Sequence, residues 1–165
     1  MKELKIAIIS DSHDNTKSLK TAVKIANEHK CSYFFHLGDI VSPYSAKFLG
    51  KFNGVVKGVF GNCDGDRVEL TRVFNNFGGE INNPPYKFSI DGKSFVLMHE
   101  PYLLEEIIKS SEFDYVFYGH LHKVDKRKIG KTNVLNPGES SGFKKISNFF
   151  IMDLFTNNFE KFEIQ

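Results

Sequence analysis

Five times along this chain a short apolar run stops at a cluster of carboxylate, amide, thiol or imidazole side chains. "KIAII" meets "SDSH", "YFFHL" meets "GD", "VVKGVF" meets "GNCD", "SFVLM" meets "HE" and "YVFYG" meets "HLH". Short, nearly continuous apolar runs suit strands buried on both faces, which belong in a parallel or mixed sheet covered by helices. Open α/β sheets bind ligands outside the carboxyl ends of their strands. The five motifs are therefore expected to converge on one site.

The segments between the motifs supply the helices. Leu19, Ala22, Val23 and Ala26 recur at helical spacing, so Lys17 to Glu28 is read as an amphipathic helix capped by Asn15 or Asp14. Ser42 and Pro43 read as cap and first position of a short helix. Leu70, Val73, Phe74 and Phe77 mark a third helical face, stopped by Gly78 and Gly79. Three strand, loop and helix units in succession indicate an α/β chain with a partly parallel sheet. The second half is richer in hairpins, with Asp91-Gly92 as a type I′ turn signal and further hairpins expected around Gly130 and in "NFFIMDLFTNNFEKFEI". A second, more antiparallel sheet is expected there. Pro101 to Glu112 is read as a helix with proline in its first turn.

At 165 residues the chain is expected to form one domain, 1–165, large enough to bury about two thirds of its unfolded surface. With 41% hydrophobic and 25% charged residues it is not a disordered chain, and a formal charge of +2 gives no support to nucleic acid binding. Two cysteines, Cys31 and Cys63, form no metal-finger spacing and make a poor disulfide framework, which favours a reducing, cytoplasmic setting. The apolar part of "MKELKIAII" is too short to span a membrane, and no small-residue cleavage site follows it. No signal peptide, anchor or membrane partner is expected.

Taken singly, the polar residues have plain structural readings. Asp11 could cap a turn, Asn62 could occupy a left-handed turn position, and a lone His99 at a strand end could be a hydrogen-bonded core histidine. His120 and His122, two apart at a strand end, point instead to a metal. Together Asp11, His13, Asp39, Asn62, His99, His120 and His122 offer seven N or O donors. That is too many for one tetrahedral zinc and enough for two ions sharing a carboxylate. Two ions about 3.5–4 Å apart would clamp a phosphoryl group and lower the pKa of a shared water from about 15.7 towards 7. Asp39 is the best bridging candidate, since Gly38 before it permits close backbone approach.

"DSH" at 11–13, "GD" at 38–39, "GNCD" at 61–64, "MH" at 98–99 and "GHLH" at 119–122 resemble the calcineurin-like metallophosphoesterases. The likeness is greatest to their small bacterial and archaeal phosphodiesterase branch, with "NPGES" at 136–140 similar to a later loop of that branch. The resemblance implies an α/β fold, a two-layer β-sandwich of mixed sheets flanked by helices. It implies a metal-dependent phosphodiesterase acting on a small phosphodiester. One ion would be held by Asp11, His13 and His122 and the other by Asn62, His99 and His120, with Asp39 shared. A bridging hydroxide would attack phosphorus. Manganese is the first choice of ion, with nickel, iron, cobalt and zinc as alternatives, and a homo-oligomer is left open.

Asn62 and Cys63 are the candidate catalytic positions. Asn62 would stabilise charge on the phosphoryl oxygens. Cys63 stands where much of the superfamily carries a histidine that protonates the leaving group; a small buried spacer is favoured over a thiol acid. Asp64 either supports the site from behind or shapes the turn. His36 is read as a packed or hydrogen-bonded strand-end residue, His29 as a helix-end residue, Cys31 as an apolar filler and Lys123 to Lys128 as a solvated hairpin face. The alternatives are an interaction scaffold of the same fold, or a phosphomonoesterase or nuclease using the same site. A nuclease would need a basic, aromatic-lined groove that the sequence does not reveal.

Overall fold

The computed structural model describes residues 3–164, so the first two residues of "MKELKIAII" lie outside it. Strands β1 (Lys5–Ile9), β2 (Tyr33–His36), β3 (Val55–Val59) and β4 (Glu80–Asn82) pair in parallel, in that order. The connections between them carry α1 (Thr16–Glu28), α2 (Pro43–Ala46) with a 3-10 turn after it, and α3 (Arg67–Asn76). Asn15 caps α1 by accepting from the Ser18 N–H, and Ser42 caps α2 ahead of Pro43. α3 ends at Phe77 with Gly78 in the left-handed region, where the sequence places the stop.

Strands β5 (Tyr86–Ile90), β6 (Lys93–Leu97), β7 (Tyr115–Phe117), β8 (Val124–Ile129) and β9 (Thr132–Pro137) form a second sheet in the order β5-β6-β7-β9-β8. Its two outer pairs are antiparallel hairpins, but β6-β7 and β7-β9 are parallel, so the sheet is mixed. The terminal hairpin, β10 (Ser147–Asp153) and β11 (Asn158–Ile164), does not join it. β10 pairs antiparallel with β1, completing the first sheet as β11-β10-β1-β2-β3-β4. The reason is burial: Phe149 and Ile151 face the helices while Phe150 and Met152 face the second sheet, which only a strand of the first sheet can do.

The same alternation organises β1. Ala7 and Ile9 pack against Leu19, Ala22 and Ala26 of α1, whereas Ile6 and Ile8 share a core with Phe95, Phe117 and Leu135 of the second sheet. A third cluster, Val96, Met98, Val116 and Tyr118, is covered by Leu104 and Ile108 of α4 (Leu104–Ser110). The layers are thus helices, sheet, sheet, helix: a sandwich of two mixed sheets flanked by helices. The helix expected over Pro101 to Glu112 is shorter, because the Tyr102 N–H closes a turn on Glu100 O and Leu103 turns left-handed (φ 52°) before helical geometry begins. β4 carries no sequence signal, because three residues hold too little periodicity to be read. No helix among the described residues is long and apolar enough to cross a membrane.

Candidate metal centre

All five motif loops leave the carboxyl ends of β1, β2, β3, β6 and β7 and meet at one edge of the sandwich. The first two are laced together: Asp11, His13 and Asp14 donate their backbone N–H groups to Gly38, Asp39 and Ile40. The Gly119 N–H donates to His99 O, and the His120 N–H donates to Asp11 Oδ2 at 2.9 Å. Asp11, His13, Asp39, His120 and His122 all have positive φ, between 40° and 66°. Such residues each cost on the order of 1–3 kcal/mol and persist only where neighbours over-determine them. Gly38, at φ +97°, is required for a second reason: a Cβ there would lie 2.6 Å from His99 Nδ1.

Two buried residues outside the donor set fix these loops. Asp64 accepts from the N–H groups of Asp39 (2.9 Å), Gly61 (2.7 Å) and Val41 (2.7 Å), so it both shapes its turn and positions the Asp39 loop. His36 is fully buried; its Nδ1 accepts from the Gly38 N–H, which leaves Nε2–H to donate to Ser12 Oγ at 2.9 Å. Burial pushes its pKa down to about 3, so the ring is neutral. His36 therefore ties the Asp11 and His13 loop to the Asp39 loop, a role its strand-end position only hinted at. The NPGES segment also buttresses the site: Asn136 Nδ2 donates to Gly119 O, and Ser140 donates through Oγ to Ser10 O and through its N–H to Asp11 O.

The donor atoms form an unusual cluster. His99 Nδ1 lies 2.7 Å from Leu37 O, which can only accept, so Nδ1 carries the hydrogen and Nε2 of the neutral ring is bare. That bare nitrogen is 3.3 Å from Asp39 Oδ2 and 3.0 Å from Asn62 Oδ1. Asp39 Oδ2 is also 3.5 Å from His13 Nε2. Asp11 Oδ1 lies 3.2 Å from His122 Nε2 and 3.8 Å from His99 Nε2. Asp11 Oδ1 and His13 Nε2 are buried without a hydrogen-bond partner. Acceptors facing acceptors repel unless a proton or a metal cation lies between them. Without an ion the protein answers with protons: burial disfavours a charged His99, but Asp39 and Asp11 outweigh it and raise its pKa. Burial opposes ionisation of Asp39 as well, yet His99 and the Cys63 N–H hold its carboxyl well below the usual range.

Among the described residues, three groups of side chains have ligand atoms within 4.8 Å of one another, close enough to hold a metal ion: Asp11, His13 and His122; Asp11, Asp39 and His99; and His13, Asp39 and Cys63. His120 belongs to none of them, but its Nδ1 is 3.0 Å from Asn62 Oδ1, so it borders the centre through that amide. Cys63 corrects an expectation. It is exposed, not a buried spacer, because the turn sends the Asp64 carboxylate inward and the neighbouring thiol outward. Its N–H donates to Asp39 Oδ1 and its Sγ lies 3.4 Å from Asn62 Nδ2, orienting the amide with oxygen towards His99. Partial desolvation, with Asp39 beside it, pushes the thiol up to about 11. Cys31 is buried, as expected of a filler.

Residues 4–157 match the family model of the calcineurin-like phosphoesterase superfamily domain, and the chain belongs to that superfamily. It is by family a phosphoric ester hydrolase. The chain is similar to phosphodiesterase MJ0936 of Methanocaldococcus jannaschii, with 32% identity over 143 residues, 85% of this chain and 86% of that one. It superposes on an archaeal phosphodiesterase with a TM-score of 0.93 at 29% identity, covering 98% of this chain and 100% of that chain. Vacuolar protein sorting 29 from Cryptosporidium parvum shares the fold, with a TM-score of 0.70 at 17% identity over 99% of this chain and 98% of its own.

Proposed function

We propose that the protein is a metal-dependent phosphodiesterase, one domain over residues 1–165, hydrolysing a small phosphodiester at a centre for two divalent ions. The observation that carries this is the acceptor-only cluster, in which bare His99 Nε2, Asp39 Oδ2 and Asn62 Oδ1 converge within 3.3 Å of the imidazole nitrogen. Asp11, His13 and His122 would hold one ion, and Asn62, His99 and His120 the other. Asp39 would serve both, since its Oδ2 lies between two imidazoles at 3.5 and 3.3 Å. Such ions, manganese first among them, would supply a hydroxide nucleophile at neutral pH and neutralise charge on the phosphoryl oxygens.

The protein's own groups do the rest. The Leu37 carbonyl holds the His99 tautomer that leaves Nε2 free to ligate, as outer partners of ligating histidines do. Asn62, exposed at the rim, offers Nδ2 as a donor to charge growing on a phosphoryl oxygen. Cys63, with its thiol pushed up to about 11, is a poor acid for a departing alkoxide, so the enzyme should favour activated leaving groups. Two free cysteines fit a cytoplasmic setting. The retained donor set favours catalysis over a scaffold role. Chelation should abolish hydrolysis of bis(p-nitrophenyl) phosphate, and manganese should restore it with two ions bound in calorimetry. Full turnover by rigorously metal-free protein would refute the proposal.

A further inference from the structure

The metal centre opens on one side into a cleft of about 360 Å³, lined near the centre by Asn62 and His99 and farther out by Arg67, Asn83 and Tyr102. Pro84, Glu100 and Tyr102 line this cleft and also a second cavity of about 220 Å³, so the two adjoin. The second cavity is completed by apolar side chains: Pro85, Met98, Leu103 and Ile107. A path thus leads from the donor cluster, past Arg67 and then the Glu100 carboxylate, to an apolar pocket.

Arg67 is held firmly on that path. Its guanidinium sits 5.0 Å over the Phe60 ring and donates to Asp64 O, Asn83 Oδ1 and Gly61 O. All three acceptors are neutral and use three of its five N–H groups, so its charge remains available to an anion. At the far end, Leu103 is a poor choice for folding. It occupies the N-cap of α4 at φ 52° with no side-chain cap, and 70% of it is exposed. Asparagine, serine or aspartate would suit an N-cap better, and asparagine tolerates left-handed backbone far better than leucine. Tyr102 beside it is 73% exposed. A strained, uncapped and solvent-facing leucine at the mouth of an apolar cavity is the kind of local cost that accompanies a binding site.

We propose that this pocket binds an apolar ester substituent, the alkyl or aryl group that the phosphodiester retains, while Arg67 draws in the diester anion. The proposal rests on the phosphodiesterase reading and names its substrate class: diesters with one hydrophobic arm. Leu103 and Tyr102 set that specificity; they do not touch the reacting atoms.

The test holds the leaving group constant. In methyl, butyl and cyclohexyl p-nitrophenyl phosphates, water adds to phosphorus and the bond to p-nitrophenolate breaks, so the alkyl arm is the variable. With the manganese-loaded enzyme, kcat/KM should rise at least about tenfold from methyl to cyclohexyl, since a single methylene in a hydrophobic pocket is worth about tenfold or more. Leu103→Asn, which suits the local backbone and should keep the thermal midpoint, should cut the cyclohexyl-to-methyl ratio about fivefold or more. Calorimetric binding of methylphosphonate and cyclohexylphosphonate should show the same order. A flat series with the methyl diester turned over would overturn the pocket and leave the phosphodiesterase reading standing. An apolar preference that survives Leu103→Asn would overturn the assignment to this pocket. Failure to hydrolyse any diester with any ion would overturn both.

Discussion

Replacing Asp64 should separate the frame of the site from its donors. The carboxylate is 2% exposed and accepts three backbone N–H groups, from Asp39 and Gly61 at Oδ2 and from Val41 at Oδ1. Asp64→Ala removes all three acceptors at once and leaves donors that water reaches poorly. At about 1–3 kcal/mol for each donor left unpaired, the cost should be about 3–9 kcal/mol. That is a large share of the roughly 5–15 kcal/mol that holds a typical domain folded. Asp64→Asn should cost less, about 1–3 kcal/mol, because its one oxygen can still serve Asp39 and Gly61 while its amide N–H opposes only the Val41 donor. Urea unfolding of chelated protein measures this term free of bound metal. Calorimetric titration with manganese measures the second consequence, since outer partners of metal ligands are typically worth about 10–100-fold in ion affinity. An Asp64→Ala protein with wild-type unfolding midpoint and ion affinity within twofold would refute the reasoning.

Three further outcomes are expected. His122→Ala should weaken ion binding, read by calorimetry, with little change in unfolding midpoint, because His122 is only partly buried and hydrogen-bonds through its backbone O to Lys144 Nζ. With His36 neutral in the fold and its pKa pushed down to about 3, the stability it protects is complete above about pH 6.5. That stability should fall by about 1.4 kcal/mol per pH unit below there until about pH 3, and a His36→Gln variant should show a urea-midpoint slope shallower by one proton. Cys63→His should raise kcat mainly on poorly activated diesters, towards the roughly 10²–10⁴-fold that general acid catalysis supplies, whereas Cys63→Ala should change little on p-nitrophenyl esters.

What the sequence reveals of this molecule follows from how local each signal is. The parallel strands β1, β2 and β3 and their helices are written as runs and periodicities that follow one another directly along the chain, and the caps Asn15 and Ser42 sit where such patterns begin. The partner of β10 is not local. Nothing near "NFFIMD" says that it lies against β1, some 140 residues earlier; only the demand that both its faces be buried decides it. The donor residues are legible because their chemistry is concentrated at strand ends. The residues that hold them are less so: His36 resembles any core histidine until Ser12 and Gly38 are seen on either side. The exposure of Cys63 is not legible because adjacent turn residues point opposite ways, and here Asp64 takes the inward place. Arg67 carries no signal of its own, being one exposed arginine at the start of a helix until Phe60, Asn83 and the cleft surround it.

The left-handed backbone at five of the donor residues costs stability in the metal-free protein, where the converging acceptor atoms must also be held apart by protons. The sandwich meets that cost with cores buried on both faces of the first sheet, and with hydrogen bonds accepted by Asp64 and made by His36 and Ser140 that leave the loops few alternatives. A bound cation would take the place of those protons without altering those bonds, so its binding energy would appear as added stability of about 2.7 kcal/mol at an ion concentration one hundred times Kd. Because the loops are already fixed by hydrogen bonds that need no ion, that gain need not come from ordering the chain. The centre is then preorganised for ions and substrate, and variants of the frame such as Asp64→Ala should lose both the fold's margin and the ions, while variants of a donor such as His122→Ala should lose chiefly the ions.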